Sequence, residues 1–424
     1  MLTREENTLL TRVGPGTPMG EMLREYWTPA LRSARLEADG APARVRLLGE
    51  NFVAFRSTDG RVGFFDEGCP HRCTSLALAR NEDNALTCIF HGWKIDVTGK
   101  VVDVPSEPPE RRAEFAAKVR VRHYPVREAG GIVWVYLGKR DTAPRFCDFE
   151  FTHLPPEHVN VRVAIVHSNW LQGVEGQLDS AHVGVLHRSS AAANMGRSGQ
   201  VLTSLATRNT GPKFEFVPQP YGFCEGALRD LFDGTVYARI RQVVLPYFSF
   251  IPSDPGGRCA IVAPVPLDDE WKAAWYIAYD PHKPFTAADR EAMAWGTSGN
   301  PDDFASDLGS WDTMWSQDRK LMKEGHWTGI NKAIACEDFA VEESMGRIVD
   351  RSREYLGSSD APIIRFRRMM LKSVRDFQKG QRPFGVDADI DYPRIRALAI
   401  RYSKDLDWRT FDTQNPPQTI TNPL

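Results

Sequence analysis

No apolar run in this chain approaches the roughly 18 residues that a membrane span needs. The opening Met1-Leu2-Thr3-Arg4-Glu5-Glu6-Asn7 lacks the apolar core of a secretion signal. A charge excess is missing too. The 53 basic residues nearly balance the 55 acidic ones, leaving a net charge of −2, so nothing points to nucleic acid or to a membrane surface. There is no internal repeat, no low-complexity tract and no G-x-G-x-x-G strand-turn-helix unit that would hold a nicotinamide. The seven cysteines, at 69, 73, 88, 147, 224, 259 and 336, are odd in number and irregularly spaced. That excludes a regular disulfide framework and fits free thiols and metal ligands in a reducing cytoplasm.

What remains is ordinary globular material, 42% hydrophobic and 25% charged over 424 residues. The length predicts two domains. After an amphipathic segment ending at Tyr26-Trp27-Thr28-Pro29, residues ~40 to ~140 read as short strands. Arg44 to Leu48, Phe52 to Phe55 and Ile132 to Tyr136 are examples, separated by turns such as Asp59-Gly60 and Thr98-Gly99. The Pro- and charge-rich stretch Asp141 to Pro156 reads as the boundary, giving a small antiparallel β domain over 1–150 and a larger one over 151–424. The second domain opens with a strand, Val159 to Val166, and a helix from Asn169 to about Val183. Strands return at Lys213–Phe216, Val236–Val244, Cys259–Val265 and Ala273–Tyr279. Helices are expected over Thr286–Trp295, capped by Thr286, and over Asp338–Tyr355. The class is therefore α+β, with a helix-flanked antiparallel sheet in the second domain.

Two Cys/His pairs stand out in the first domain: Cys69-Pro70-His71 and Cys88-Ile89-Phe90-His91. Two thiolates and two imidazoles in this arrangement suit a [2Fe-2S] cluster of mixed ligation, whose potential lies above that of an all-cysteine cluster. Zinc also accepts Cys2His2 sets, but C-x-H is a poor knuckle spacing. Gly68, Gly92 and Trp93 around the loops favour the cluster. Cys73 fits neither loop and reads as a packed thiol.

A second group, Glu175, Asp179, His182 and His187, falls on and just after the predicted helix. Asp179 and His182, three apart, share a helical face. His182 and His187, five apart, would diverge by about 140° on a straight helix. Gly184 between them can end or bend it. Two imidazoles and one carboxylate form the facial triad of mononuclear non-haem Fe(II) oxygenases. Glu175 and Asp179, like charges four apart, repel unless each has a cationic or metal-bound partner.

Cys69-Pro70-His71-Arg72 and Phe90-His91-Gly92-Trp93 resemble the Rieske motif of ring-hydroxylating oxygenases, with Phe90 where that family usually has Tyr. Asn169-Trp170, Glu175, Asp179-x-x-His182 and His187 resemble the family's catalytic segment. The run Glu337 to Gly346 resembles its late helix, which implies Asp338 as third iron ligand, with Glu337, Glu342 and Glu343 as competitors. Arg12 to Gly20, Asp350-Arg351-Ser352 and Leu356 to Asp360 resemble the phthalate and phenoxybenzoate branch.

The resemblance implies a terminal oxygenase with one Rieske [2Fe-2S] cluster on Cys69, His71, Cys88 and His91, and one Fe(II) on His182, His187 and Asp338. It also implies that Asp179 bridges a neighbouring subunit's Rieske histidine to an iron-ligand histidine, in a trimer or a stacked pair of trimers. Electrons would come from NAD(P)H through a separate reductase carrying FMN and a plant-type [2Fe-2S] centre. The implied substrate is an aromatic carboxylate, such as phthalate, isophthalate or phenoxybenzoate, oxidised with O2. A carboxylate in an apolar pocket calls for Arg. Arg208 and Arg239 are the candidates, and strand alternation makes Arg241 a rival of Arg239. Ser180 and His167 are further pocket candidates. Single hydroxylation and O-demethylation use the same ligands and stay open. A Rieske electron carrier without oxygenase activity and a zinc-stabilised binding module are the readings from other classes.

Overall fold

The computed structural model describes residues 1–193, 201–294 and 300–420. The first 23 residues form two short helices. Arg4–Thr11 is opened by a capping box of Thr3 and Glu6, and Pro18–Leu23 by Thr17 with Pro18 in the first turn. Both lie against the C-terminal half of the chain. Asn7 Nδ2 donates to Val349 O at 3.0 Å, and Arg375 pairs with Glu6 at 2.9 Å.

Residues 28–135 then form three small antiparallel sheets. One joins Thr28–Arg32, Ile132–Val135 and Val126–Ala129. The second joins Ala43–Leu47, Glu50–Arg56 and Val62–Asp66. The third joins Arg80–Glu82, Ala85–Thr87, Lys94–Asp96 and Val101–Asp103. In Ala43–Leu47 burial alternates residue by residue: Ala43, Val45 and Leu47 face the core, while Arg44 and Arg46 face out. Arg46 uses that exposure to reach Asp268 of the second domain at 2.8 Å.

The second domain is built on an antiparallel sheet of eight strands. Its order is Val159–Val166, Lys272–Tyr279, Cys259–Pro266, Phe248–Ile251, Thr235–Val244, Gly222–Asp230 and Lys213–Gln219, with Leu398–Ser403 also pairing Thr235–Val244. Helix Trp170–Leu178 packs on this sheet, and helices Ile334–Ser344 and Ala361–Phe377 pack on that helix in turn.

In the boundary stretch Asp141 to Pro156, Phe146, Cys147, Phe149 and Phe151 are buried in the core shared by both halves. Two helix expectations need correction. The helix expected over Asp338–Tyr355 ends at Ser344, because Gly346 turns the backbone left-handed at φ 88°. The helix expected up to Val183 ends at Leu178. There the Asp179 carboxylate takes the N–H groups of Ala181 and His182, at 2.7 and 3.2 Å, in competition with helical bonds. The helix capped by Thr286 spans Ala287–Met293, and Trp295 lies outside the described residues.

Candidate metal centres

The two Cys/His loops follow strands Val62–Asp66 and Ala85–Thr87, and each closes on itself through the backbone. Cys69 N–H donates to Thr74 O at 2.8 Å and Cys88 N–H to Trp93 O at 2.9 Å. Gly92 is required by the second loop: its φ is 72°, and a Cβ there would stand 2.7 Å from Pro105 Cγ. Cys69 and Cys88 are buried, whereas His71 and His91 are only half-buried. The two Nδ1 atoms lie 3.1 Å apart, so both imidazoles aim one nitrogen at a common point. His71 stacks on Trp93, with centroids 4.7 Å apart and rings 7° from parallel. Burial pushes the Cys69 thiol up to about 11, with Cys88 beside it adding to the rise. A bound metal cation reverses that cost, because thiolates are then stabilised by the ion. Cys73, expected to be packed, is exposed and held at φ 57°. Phe90 is exposed as well, with the Arg72 guanidinium 5.4 Å from its ring centroid.

The second centre forms where the chain leaves helix Trp170–Leu178. His182 opens a short 3-10 turn, His182–Gly184, and His187 precedes helix Arg188–Ala193. Because the helix has already ended, the 140° divergence does not arise. Gly184 has a different task from bending a helix: a Cβ on it would lie 2.4 Å from Ala206 O, so glycine lets the turn seat on residues 201–207. The imidazoles of His182 and His187 have centroids 5.0 Å apart. Asp338, from helix Ile334–Ser344, places Oδ1 3.1 Å from His187 Nε2 and 3.7 Å from His182 Nε2. One ligand atom from each of the three lies within 4.8 Å of the others.

The electrostatics suit a cation. Burial would raise the Asp338 carboxyl, but His187 and His182 hold it below the ordinary carboxylate range. Burial would lower His187, yet Asp338 and Glu337 raise it to about 10. The other acidic residues have other partners. Glu337 is fully buried and accepts from His187 Nδ1 at 2.8 Å, Thr328 Oγ1 at 2.6 Å and Ser190 Oγ at 3.1 Å. Such a carboxylate fixes the tautomer that leaves Nε2 for a metal. Glu342 pairs with Lys272 at 2.6 Å, and Glu343 accepts the backbone N–H of His167 at 3.2 Å. Glu175 points away from the histidines, into a buried ion pair with Arg351 and Arg367 at 2.8 and 2.6 Å.

Asp179 lies beside this centre. Its Oδ1 is held by two backbone amides, and its Oδ2 lies 3.6 Å from His182 Nδ1 with the side chain 30% exposed. Burial acts to raise its carboxyl, but His182 and those amides lower it on balance.

The proposed substrate residues separate. Arg239 and Arg241 are buried on one face of strand Thr235–Val244, and Ser180 is fully buried nearby in sequence to the histidine turn. Arg241 NH1 already donates to Leu178 O at 2.7 Å and lies 3.5 Å from Glu225 Oε2. Arg208 sits in an exposed turn, and His167 stacks on Trp271 with rings 7° from parallel. Sequence reasoning missed Arg229 and Glu225. Both are fully buried on strand Gly222–Asp230, and register pairs Glu225 with Arg241 and Arg229 with Tyr237. Charged residues at alternate positions of an otherwise apolar strand were the available signal.

Residues 26–125 match the Rieske [2Fe-2S] domain, and residues 135–422 match the family described as LigXa C-terminal domain like. The chain is 39% identical to the phthalate 4,5-dioxygenase oxygenase subunit of Pseudomonas putida, over 98% of this chain and 95% of that one. It is 30% identical to the 5,5'-dehydrodivanillate O-demethylase oxygenase subunit of a Sphingobium species, over 92% and 84% of the two chains. The fold is that of the terminal oxygenase of carbazole 1,9a-dioxygenase from Nocardioides aromaticivorans. The TM-score is 0.57 at 19% identity, covering 90% of this chain and all of that one. The chain thus belongs to the Rieske non-haem iron ring-hydroxylating oxygenases, as an oxygenase subunit with one [2Fe-2S] cluster and one mononuclear iron.

Proposed function

We propose that this subunit oxidises an aromatic carboxylate with O2, using electrons delivered to its Rieske cluster by a separate NAD(P)H-dependent reductase. The observation that carries the substrate class is the buried, net-positive face next to the histidine turn. On that face the two strands carry Arg229, Arg239 and Arg241 with one carboxylate of their own, Glu225. Tyr237 Oη and Ser180 Oγ are buried polar atoms without a hydrogen-bond partner among the described residues. Buried donors in excess favour an anionic guest. Arg239 and the Ser180 hydroxyl are assigned to the carboxylate.

Cys69, His71, Cys88 and His91 would hold the cluster, and His182, His187 and Asp338 the iron. When bound, these groups supply electron transfer and oxygen activation. The protein's part is to aim Nε2 of His187 through Glu337 and to set the Asp179 carboxylate beside His182. Asp179 is proposed to link that histidine to a Rieske histidine of an adjacent subunit, in a trimer or a stacked pair of trimers.

Product analysis under heavy-isotope oxygen tests the reading, with phthalate, isophthalate, terephthalate and 3-phenoxybenzoate offered alongside NADH and a surrogate reductase. Two labelled oxygens in one product establish dioxygenation. One labelled oxygen moves the reaction to monooxygenation or O-demethylation, the chemistry named for the Sphingobium relative. No labelled product from any acid, at full iron content, rules out the aromatic-acid assignment.

A further inference from the structure

Two arginines of the sheet grip the chain on either side of Asp179. Arg241 NH1 donates to Leu178 O at 2.7 Å, and Arg229 NH2 donates to Ser180 O at 2.6 Å. Arg229 Nε also holds Asn209 O at 2.9 Å, tying the same turn to the following loop. The side chains reach that far because they sit at alternate positions of paired strands, on the face turned toward the end of helix Trp170–Leu178. Leu178 O belongs to the last turn of the helix, where carbonyls lack helical partners and a cation complements the dipole.

A buried guanidinium is a costly way to satisfy one neutral carbonyl. Burial and the neighbouring Arg239 push Arg229 down to about 10. The return on that cost is geometric. The planar guanidinium fixes direction as well as distance, and here two of them hold the carbonyls of Leu178 and Ser180, with Asp179 between them. That residue has an extended backbone, φ −75° and ψ 104°, and its N–H makes the closing helical bond to Glu175 O at 3.0 Å. Its carboxylate divides its two oxygens between the amides of Ala181 and His182 and the His182 imidazole.

We infer that Arg229 and Arg241 are positioning residues for Asp179, setting the carboxylate's orientation and with it the rate of electron transfer, rather than anchors for the substrate. The inference rests on the bridging role proposed for Asp179. It separates Arg241 from Arg239, which the sequence places on the same face. Within this face, Arg239 serves substrate affinity and the Arg229–Arg241 pair serves the bridge.

The test uses the metal-loaded full chain as R229K and R241K, which keep the charge and one donor, with D179N in parallel. Reoxidation of the chemically reduced Rieske chromophore by O2 and substrate is followed without reductase. KM for the accepted carboxylate is measured with reductase. Amide exchange over peptides spanning 178–184 is read in the metal-free protein, so it needs no turnover. Displacements of this kind at a reacting geometry cost about 10- to 100-fold. The expected result is slowed reoxidation of that order in both Lys variants, faster exchange at Ala181 and His182, and unchanged KM. Raised KM with wild-type reoxidation would overturn the inference and return Arg241 to the substrate site. Wild-type reoxidation and exchange in both Lys variants, with D179N blocked, would also overturn it. Wild-type reoxidation in D179N would instead remove the bridging role itself.

Discussion

Glu175→Gln is the sharpest test of what holds the histidine segment in place. Glu175 accepts from Arg351 Nε at 2.9 and 3.0 Å, from Arg351 NH2 at 2.8 Å and from Arg367 Nε at 2.6 Å. Arg351 is 0% exposed and Arg367 3%. Burial would raise the Glu175 carboxyl, but the two guanidiniums hold it below the 4.5 of a free glutamate. Breaking one side of a buried pair costs about 3–5 kcal/mol, mainly through the charge left behind. The two arginines would not suffer equally. Arg367 keeps Glu354, at 2.6 and 2.9 Å, whereas Arg351 keeps, among the described residues, the neutral oxygens of Asn7 and Val349. The Gln amide can still accept one bond, so the loss should sit at the lower end, about 3 kcal/mol. Adding Arg351→Met should recover most of it, and the double-mutant cycle isolates the pair. The folded-state pKa is depressed, so this stabilisation is present above pH 4.5 and lost as pH falls through the lowered value. Urea unfolding of the four proteins of the cycle at pH 7, and stepwise below pH 4.5, measures both effects. A loss below about 1 kcal/mol at pH 7 would refute the argument.

Three further outcomes follow from the two centres. Asp338→Ala should empty the mononuclear site while the Rieske chromophore stays, checked by iron content and visible spectrum of one preparation. Glu337→Ala removes the partner of His187 Nδ1 and should weaken Fe(II) binding about 10- to 100-fold, measured by titration of the metal-free protein. Gly92→Ala forces a Cβ against Pro105 at φ 72° and should cost about 1–2 kcal/mol of loop stability. Its readout is a lower cluster content per chain, with iron at the second site unchanged.

The sequence carries more of the ligand identities than of their geometry. Cys69, His71, Cys88 and His91 are readable because short spacing and loop glycines compress a centre into about twenty residues. His182 and His187 are readable for the same reason, but their convergence is not. It depends on Asp179 capping its own turn, a side chain-to-backbone contest that helix periodicity does not report. The strand Val159–Val166 is legible to the residue, since its β-branched residues, Val159, Val161, Val163, Ile165 and Val166, favour a strand. Helix Ala361–Phe377 carries an apolar stripe at Ile363, Phe366, Met370, Leu371 and Val374, yet its sequence neighbours say nothing of what it covers. Besides Trp170–Leu178 it packs on the opening helix, more than 340 residues away. Arg241 shows the same limit at the scale of one side chain. Alternation gives its face correctly, but only tertiary contact shows that its guanidinium is occupied by Leu178 O.

Helix Trp170–Leu178 is tied down along its whole length. Asn169 caps its start and also donates to Thr11 O and Asp269 O, at 3.0 and 2.6 Å. Gln172 donates to Glu342 O and Gly346 O, at 3.0 and 2.9 Å. Glu175 fixes the middle, and Arg241 the last turn. Two of those ties, from Gln172 to Glu342 O and Gly346 O, reach the helix that carries Asp338 and the turn just beyond it. The two elements that carry the proposed iron ligands are therefore tied to each other by the protein's own hydrogen bonds. A site of two histidines from a turn and one aspartate from a distant helix keeps its shape only if that relation is rigid. The buried Lys272–Glu342 pair adds to the same joint, since Glu342 lies one turn beyond Asp338 and Gly176 leaves room for its carboxylate. The polar residues buried around this helix cost desolvation individually. Together they specify one placement of Asp179, His182 and His187, which apolar packing alone would leave free to slide.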